Sequence, residues 1–276
     1  MTNTDLPLPL DQIVTLDDGL KLHYLDEGNG PVVIWLHGSG PGASGYSNFK
    51  GNYPAFSEAG FRNIILDLPG FGRSDKPADV QYNLDFFVSA LNRFITQLNL
   101  GPCTLLGNSL GGAIALGQTL AHPETVERLI LMAPGGVEDR PTYFEMEGII
   151  RMVETFSSGP MGEKEMRHVM SLQVYNPELL TDDLINERVA VVPSQPDNLF
   201  STMMVPNMTE RLHEISTPIF GFWGSEDKFN PHTGILKIVE NAQNARMILL
   251  NKCGHWVQVE HEDLFNRSCI EFLTKG

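Results

Sequence analysis

A serine framed by glycines, Gly107-Asn108-Ser109-Leu110-Gly111, follows the apolar run 104–106 and precedes the small residues Gly112-Ala113. Gly-x-Ser-x-Gly between a strand and a helix forces a sharp bend that presents the serine hydroxyl, with glycines relieving the crowding. A free hydroxyl is a poor nucleophile, so the chemistry requires an acid and a histidine base elsewhere. The apolar run 218–224 leads into Ser225-Glu226-Asp227, a turn that can aim a carboxylate off a sheet edge. Asp227 is the candidate acid, with Glu226 adjacent. Residues 246–250 form a second apolar run ahead of Cys253-Gly254-His255-Trp256, and His255 is the candidate base. Glu138 or Asp139, after the run 129–132, are the alternative acids, whereas His122, His168 and His213 sit in polar or helix-end contexts and read as solvated. Acyl transfer also needs two backbone N–H donors for the developing oxyanion. Leu110 supplies one; Ser39, or else Gly38, supplies the other from His37-Gly38-Ser39-Gly40-Pro41-Gly42-Ala43, which follows the strand-like run 32–36.

Such groups meet only if several strands end side by side. Residues 12–15 and 20–24 flank the turn Asp17-Asp18-Gly19 as an antiparallel pair, closed by Asp26-Glu27-Gly28-Asn29-Gly30. Buried-strand runs at 32–36, 63–66, 103–106, 128–132, 218–223 and 246–250 then alternate with helix-like spans such as 83–98. The pattern predicts an α/β protein whose mostly parallel sheet is covered by helices on both faces. Alternation breaks between Gly135 and Leu212, a stretch of short amphipathic helices interrupted by Pro160, Pro177, Pro193, Pro196 and Pro206 that holds eight of the eleven methionines. The expected organisation is a core domain of residues 1–134 and 214–276 and an inserted helical cap of residues 135–213. The methionines then either fill the cap's own core or wall an adaptable apolar pocket. The chain order Ser109, Asp227, His255 is the one expected of α/β-hydrolases.

At 276 residues and 42% hydrophobic content the chain can bury a substantial core, and no run reaches the length of a membrane span. A net charge of −15 argues against nucleic acid and anionic membranes as partners; acidity of this size is a solubility feature by default. Cys103, Cys253 and Cys269 are odd in number and unpaired in spacing, so neither a disulfide framework nor a zinc site is expected. His261-Glu262-Asp263 lacks the second histidine that a helical metal-hydrolase motif needs. Met1-Thr2-Asn3-Thr4-Asp5-Leu6-Pro7 lacks a basic-then-apolar leader pattern, and the expected location is the cytoplasm.

Taken with Ser47-Asn48, the loop 37–43, the serine motif 107–112 and Gly254-His255-Trp256 resemble the meta-cleavage product hydrolases of the α/β-hydrolase superfamily. The likeness runs over nearly the whole chain. The turn 67–74 and Ala133-Pro134-Gly135-Gly136 also fit, although the former is common to the superfamily. The resemblance implies an α/β-hydrolase fold with a cap. It also implies hydrolysis of a carbon–carbon bond in 2-hydroxy-6-oxohexa-2,4-dienoates, the vinylogous 1,5-diketones made by extradiol ring cleavage of catechols. The products would be 2-hydroxypenta-2,4-dienoate and a carboxylic acid, with no cofactor or metal. It places Asn48, Asn108, Arg188 and Trp256 in a polar subsite, with Arg188 pairing the substrate carboxylate; a surface pairing with acids such as Asp183 is the other reading of Arg188. Phe229 falls in the apolar subsite, where Met146, Ile149, Ile150 and Val153 are either neighbours or plain cap core. The expected partners are a small anionic dienoate and, at most, further copies of the chain. In the implied mechanism His255, oriented by Asp227, helps ketonise the dienol and deprotonates Ser109, which either forms an acyl enzyme or assists water to a gem-diol. Two rivals share the fold: a carboxylesterase with a hydrophobic acyl pocket, and a non-catalytic small-molecule receptor. A neutral ester gives no reason to keep a buried cation, and a receptor none to keep a triad.

Overall fold

The computed structural model describes residues 10–275; Met1 to Pro7, examined above for a leader pattern, lie outside them. Eight strands form one sheet in the order β1-β2-β4-β3-β5-β6-β7-β8. They are β1 (Leu10–Thr15), β2 (Lys21–Glu27), β3 (Val32–Leu36), β4 (Arg62–Leu66), β5 (Cys103–Asn108), β6 (Val126–Met132), β7 (Ile219–Gly224) and β8 (Ala245–Leu250). Only β2 runs against its neighbours; β4 through β8 pair in parallel. The helices are α1 (Gly45–Phe49), α2 (Tyr53–Glu58), α3 (Leu84–Gln97), α4 (Leu110–Ala121), α5 (Arg140–Phe144), α6 (Glu147–Ser158), α7 (Glu163–Ser171), α8 (Asp182–Val191), α9 (Asn198–Ser201), α10 (Gly234–Asn241), α11 (Val257–Glu260) and α12 (Glu262–Lys275). Among the described residues no helix is long and apolar enough to cross a membrane.

Alternation along each central strand builds two cores, because successive side chains point to opposite faces. Ile34, Leu105, Leu129 and Leu131 meet Phe87, Leu91, Phe94 and Ile114 of α3 and α4 on one face. Val33, Trp35, Leu106 and Ile130 meet Phe56, Phe265 and Phe272 of α2 and α12 on the other. Between β6 and β7 the chain forms α5 to α9 and no sheet strand; Met166, Met170, Leu184 and Ile185 there make a small core that also takes in Trp256. One boundary differs from the sequence expectation: Asp26 and Glu27 belong to β2 rather than to a turn. Arg62 of β4 explains it, donating Nε and Nη2 to the two Asp26 carboxylate oxygens at 2.9 and 2.6 Å and so zipping the pair to its end.

The chain passes from β3 outward to β4, then returns across β3 to β5, so the carboxyl ends of β3 and β5 lie side by side where the winding reverses. That is where open α/β sheets bind ligands. Asp67, just past β4, fastens this rim: it accepts from His23 Nδ1 at 2.7 Å, from Gly45 N at 2.7 Å and from Arg73 N at 2.8 Å. Burial opposes both charges, but the contacts between them, and Asp11 on the far ring nitrogen, hold His23 above the ordinary histidine value and Asp67 below the ordinary carboxylate value.

The direction of each shift sets its pH window. Stability from His23 is complete below the unfolded value of about 6.5 and is lost as pH rises through the raised folded one; that from Asp67 is lost as pH falls below about 3.9. We expect His23→Gln to cost more stability at pH 5 than at pH 9, read from urea midpoints; equal loss at both would sink the assignment. Packing at the switch point gives a second expectation. A Cβ on Gly111 would stand 2.0 Å from the Leu36 carbonyl oxygen, whereas one on Gly117 meets only side-chain atoms, the nearest Val88 Cγ2 at 2.9 Å. Gly111→Ala should lose more than about 2 kcal/mol, and Gly117→Ala should stay within about 1 kcal/mol of the parent in the same urea titration.

Candidate active site

Ser109 joins β5 to α4 at φ 54° and ψ −114°, a left-handed turn that a side chain adopts only at a cost of about 1–3 kcal/mol. The glycines around it are required by contact. A Cβ on Gly107 would lie 2.4 Å from the Gly111 carbonyl carbon, and one on Gly112 would lie 2.7 Å from Pro134 Cβ. The turn is held by Ser109 N donating to Met132 O at 3.0 Å, and by Ala113 N and Gly135 N donating to Ser109 O at 3.0 and 2.9 Å. As the first residue of α4, Leu110 has no acceptor within the helix for its N–H.

His255 sits on the loop after β8, nearly buried, with Nδ1 2.7 Å from Asp227 Oδ2. The other carboxylate oxygen accepts from Phe229 N at 2.8 Å and Asn230 N at 3.0 Å, so Asp227 is locked in its own turn after β7. With Nδ1 donating to the carboxylate, the remaining nitrogen, Nε2, is the acceptor. Loop meets loop backbone to backbone: a Cβ on Gly224 would be 2.1 Å from Gly254 O. The competing acids are engaged elsewhere. Glu226 is exposed beside Ser225, Glu138 takes Lys237 Nζ at 2.6 Å, and Asp139 takes Asn207 Nδ2 at 2.8 Å. Of the histidines read as solvated, His168 and His213 are exposed and His122 is half-buried at the end of α4.

The loop after β3 is pinned by His37. Its Nε2 accepts from Leu68 N at 3.1 Å, so Nδ1 carries the proton and donates to Gly38 O at 2.8 Å. Burial pushes this imidazole down to about 4 and keeps it neutral. Ser39 and Gly40 then face the cavity. Farther along, a Cβ on Gly42 would fall 2.1 Å from Arg188 O, so the Gly-Pro-Gly stretch is what lets α8 dock on this loop.

Arg188 points inward from α8, away from Asp183, and is 1% exposed. Nη2 donates to Asn48 Oδ1 at 2.5 Å, Nη1 to Pro41 O at 3.1 Å, and the guanidinium lies 4.8 Å over the Trp256 ring. Its Nε has no partner, and burial pulls the group down to about 9, which leaves it cationic at neutral pH. Its neighbour Glu187 pairs with Lys50 instead. Asn108 is fully buried; Nδ2 donates to Met132 O at 3.3 Å and His255 O at 3.4 Å, while Oδ1 is left without a partner.

Most of these side chains line one cavity. Arg188, Asn48, Gly40 and Trp256 cluster at one part of its wall; Ile149, Met152 and Phe229 form another, and Ser109 and His255 line the same space. Phe229 packs its ring 5.4 Å from that of His255, and α6 closes on Phe229 through Gly148, whose N donates to Lys228 O at 2.7 Å. The apolar neighbours differ from expectation. Ile150 and Val153 are 42% and 48% exposed, and Met146 is half-buried ahead of α6. Ile149 and Met152, three apart, share the helix face turned to the cavity, and a residue one step along points about 100° away. Of the eight methionines at issue only Met152 lines this cavity among the described residues; Met166 and Met170 fill the small core under α7 and α8, and Met204 is exposed.

Sequence reasoning missed Met152, Gln173, Asn230 and His37, and also Glu260. The last takes Gly254 N at 2.5 Å through one oxygen and Tyr175 N at 2.7 Å through the other, buckling the histidine loop to the helical segment. Asn230 was visible in principle, three residues after Asp227 in an Asx-type turn; nothing in the local sequence marks Gln173.

The α/β hydrolase fold family matches residues 31–157. The 2-hydroxy-6-oxononadienedioate/2-hydroxy-6-oxononatrienedioate hydrolase of Comamonas testosteroni is 35% identical, over 93% of this chain and 92% of that protein. The 2-hydroxy-6-oxo-6-phenylhexa-2,4-dienoate hydrolase of Burkholderia cepacia is also 35% identical, again over 93% and 92%. A solved structure of the meta-cleavage product hydrolase from Pseudomonas fluorescens IP01 superposes with a TM-score of 0.83 at 27% identity, covering 96% of this chain and 97% of that one. With this fold, these motifs and relatives matched over almost their full length, the chain belongs to the meta-cleavage product hydrolases of the α/β hydrolase fold.

Proposed function

We propose that the cavity hydrolyses the carbon–carbon bond of 2-hydroxy-6-oxohexa-2,4-dienoates, releasing 2-hydroxypenta-2,4-dienoate and a carboxylic acid, with residues 135–213 as its cap. The observation that carries this is the buried cation. Arg188 is held by neutral partners only, with its Nε N–H unspent, in the wall of the cavity that Ser109 and His255 line. A cation removed from water without a counter-charge is costly, and an anionic substrate carboxylate supplies the missing partner. Asn48 and Trp256 orient the guanidinium, and the free Asn108 Oδ1 is an acceptor for the adjacent enol hydroxyl. Bound this way, the dienol is ketonised with His255 Nε2 as proton carrier, which makes the departing dienoate a stabilised carbanion. His255 then takes the Ser109 proton, the hydroxyl oxygen adds to the C6 carbonyl, and the Leu110 and Ser39 N–H groups receive the oxyanion. Its collapse breaks the C5–C6 bond, and the departing dienolate takes the proton from His255 to give 2-hydroxypenta-2,4-dienoate. Water deprotonated by His255 hydrolyses the Ser109 ester to the carboxylic acid, the proton returning to Ser109. Asp227, fixed by Phe229 N and Asn230 N, keeps the imidazole in the tautomer this requires.

We expect Ser109→Ala to lower kcat for decay of a yellow ring-fission product by at least about 10³-fold while the substrate still binds, followed by its absorbance in single-turnover experiments. Turnover within tenfold of the parent would remove Ser109 as nucleophile. Arg188→Gln should lower kcat/KM for the same anionic product by about 100-fold or more, yet change hydrolysis of a neutral nitrophenyl ester by less than tenfold. Equal losses on both substrates would instead assign Arg188 to structure and favour an esterase.

A further inference from the structure

The function proposed above leaves the C6 substituent open, and identity alone does not choose it. Several relatives at 34–36% identity, that of Comamonas testosteroni among them, are named for a dienedioate, and that of Burkholderia cepacia, at 35%, for a phenyl-bearing dienoate. We infer that this cavity selects ring-fission products whose C6 substituent is uncharged and apolar, and rejects those ending in a second carboxylate; the inference rests on that function.

The distribution of charge around the cavity carries it. Among the described residues lining the cavity, Arg188 is the only lysine or arginine, and the substrate's C1 carboxylate uses it. α6 meets the Phe229 ring at Gly148, and its cavity-lining residues Ile149 and Met152, like Phe229, offer a carboxylate neither charge nor a donor. Cations close in sequence to this wall are turned away and already matched: Lys228 is part-exposed, 3.5 Å from Glu147, and exposed Arg151 donates to Glu154 at 2.9 Å. Asn230, the polar neighbour of Phe229, spends its amide on Ala133 O at 2.7 Å. Gln173 also lines the cavity, and its backbone carbonyl receives Trp256 N at 3.1 Å, which seats this residue beside the Arg188–Trp256 pair. A second carboxylate would therefore lose its water to an apolar wall, inside a protein of net charge −15 that already repels it.

The test compares kcat/KM for two ring-fission products of nearly equal size, one carrying a butyl and one a carboxyethyl group at C6, with a nitrophenyl ester as the common reference. We expect the butyl compound to be preferred by at least about 100-fold. Met152→Lys, with Ile149→Lys as the second variant should the first not fold, is expected to shift that ratio toward the carboxyethyl compound by tenfold or more. A parent ratio near one, or a preference for the carboxyethyl compound, overturns the inference and leaves carbon–carbon hydrolysis standing. Failure to turn over either product while the ester is hydrolysed overturns the underlying function, and the inference with it.

Discussion

The contact on which the site depends is between backbones: the first turn of α4 lies against the end of β3, so close that Gly111 has no room for a Cβ beside Leu36 O. That approach brings the serine turn and the β3 loop together at the sheet's switch point, where one N–H from each can face the same oxygen. It also explains why strain is tolerated at Ser109. The left-handed turn is held by Met132 O on one side and by Ala113 N and Gly135 N on the other, so relaxing it would break contacts with both β6 and α4. Gly224 against Gly254 O repeats the device at the acid and base loops. Four chain segments are thus placed by close backbone approach, and the side chains they carry inherit that precision.

Burial of a carboxylate beside a histidine does not by itself make a catalytic pair, as two such pairs in this fold show. His23 spends both ring nitrogens on acids, Nδ1 on Asp67 and Nε2 on Asp11, so no nitrogen is left to accept a proton from a third group. Asp67 meanwhile takes Gly45 N and Arg73 N, and its work is to fasten the α1 loop that carries Asn48. His255 spends Nδ1 alone and lines the cavity. The chemical difference between the two pairs is one unspent acceptor, on a ring that shares its cavity with Ser109.

What was legible in the sequence follows the range of the forces involved. Strand runs, the helix of residues 84–97 and the Gly-x-Ser-x-Gly turn are local patterns, and the structure places them within a few residues of expectation. Ser109, Asp227, His255, Asn48, Asn108, Arg188, Phe229 and Trp256 were nominated by motif, and all but the buried orienting Asp227 line one cavity. The extension of β2 was not legible, because it depends on Arg62 of β4 meeting Asp26 across the sheet. Nor was Glu260, whose backbone partners Tyr175 and Asn176 on one side and Gly254 on the other lie nearly eighty residues apart in sequence.

The apolar wall was the least legible part, for a reason that bears on specificity. Residues 149, 150, 152 and 153 are all hydrophobic, so composition and spacing leave two faces of α6 nearly equivalent. What breaks the tie is Gly148. With no Cβ it lets α6 settle onto Lys228 O and the Phe229 ring, and that rotation turns Ile149 and Met152 to the cavity and Ile150 and Val153 to solvent. A side chain at Gly148 would meet the Phe229 ring at 2.8 Å and have to tilt the helix. In the proposed binding mode the substrate's C6 end is read by a surface whose orientation is set from one residue outside it. Specificity at this end depends on how α6 is seated as much as on which side chains it carries.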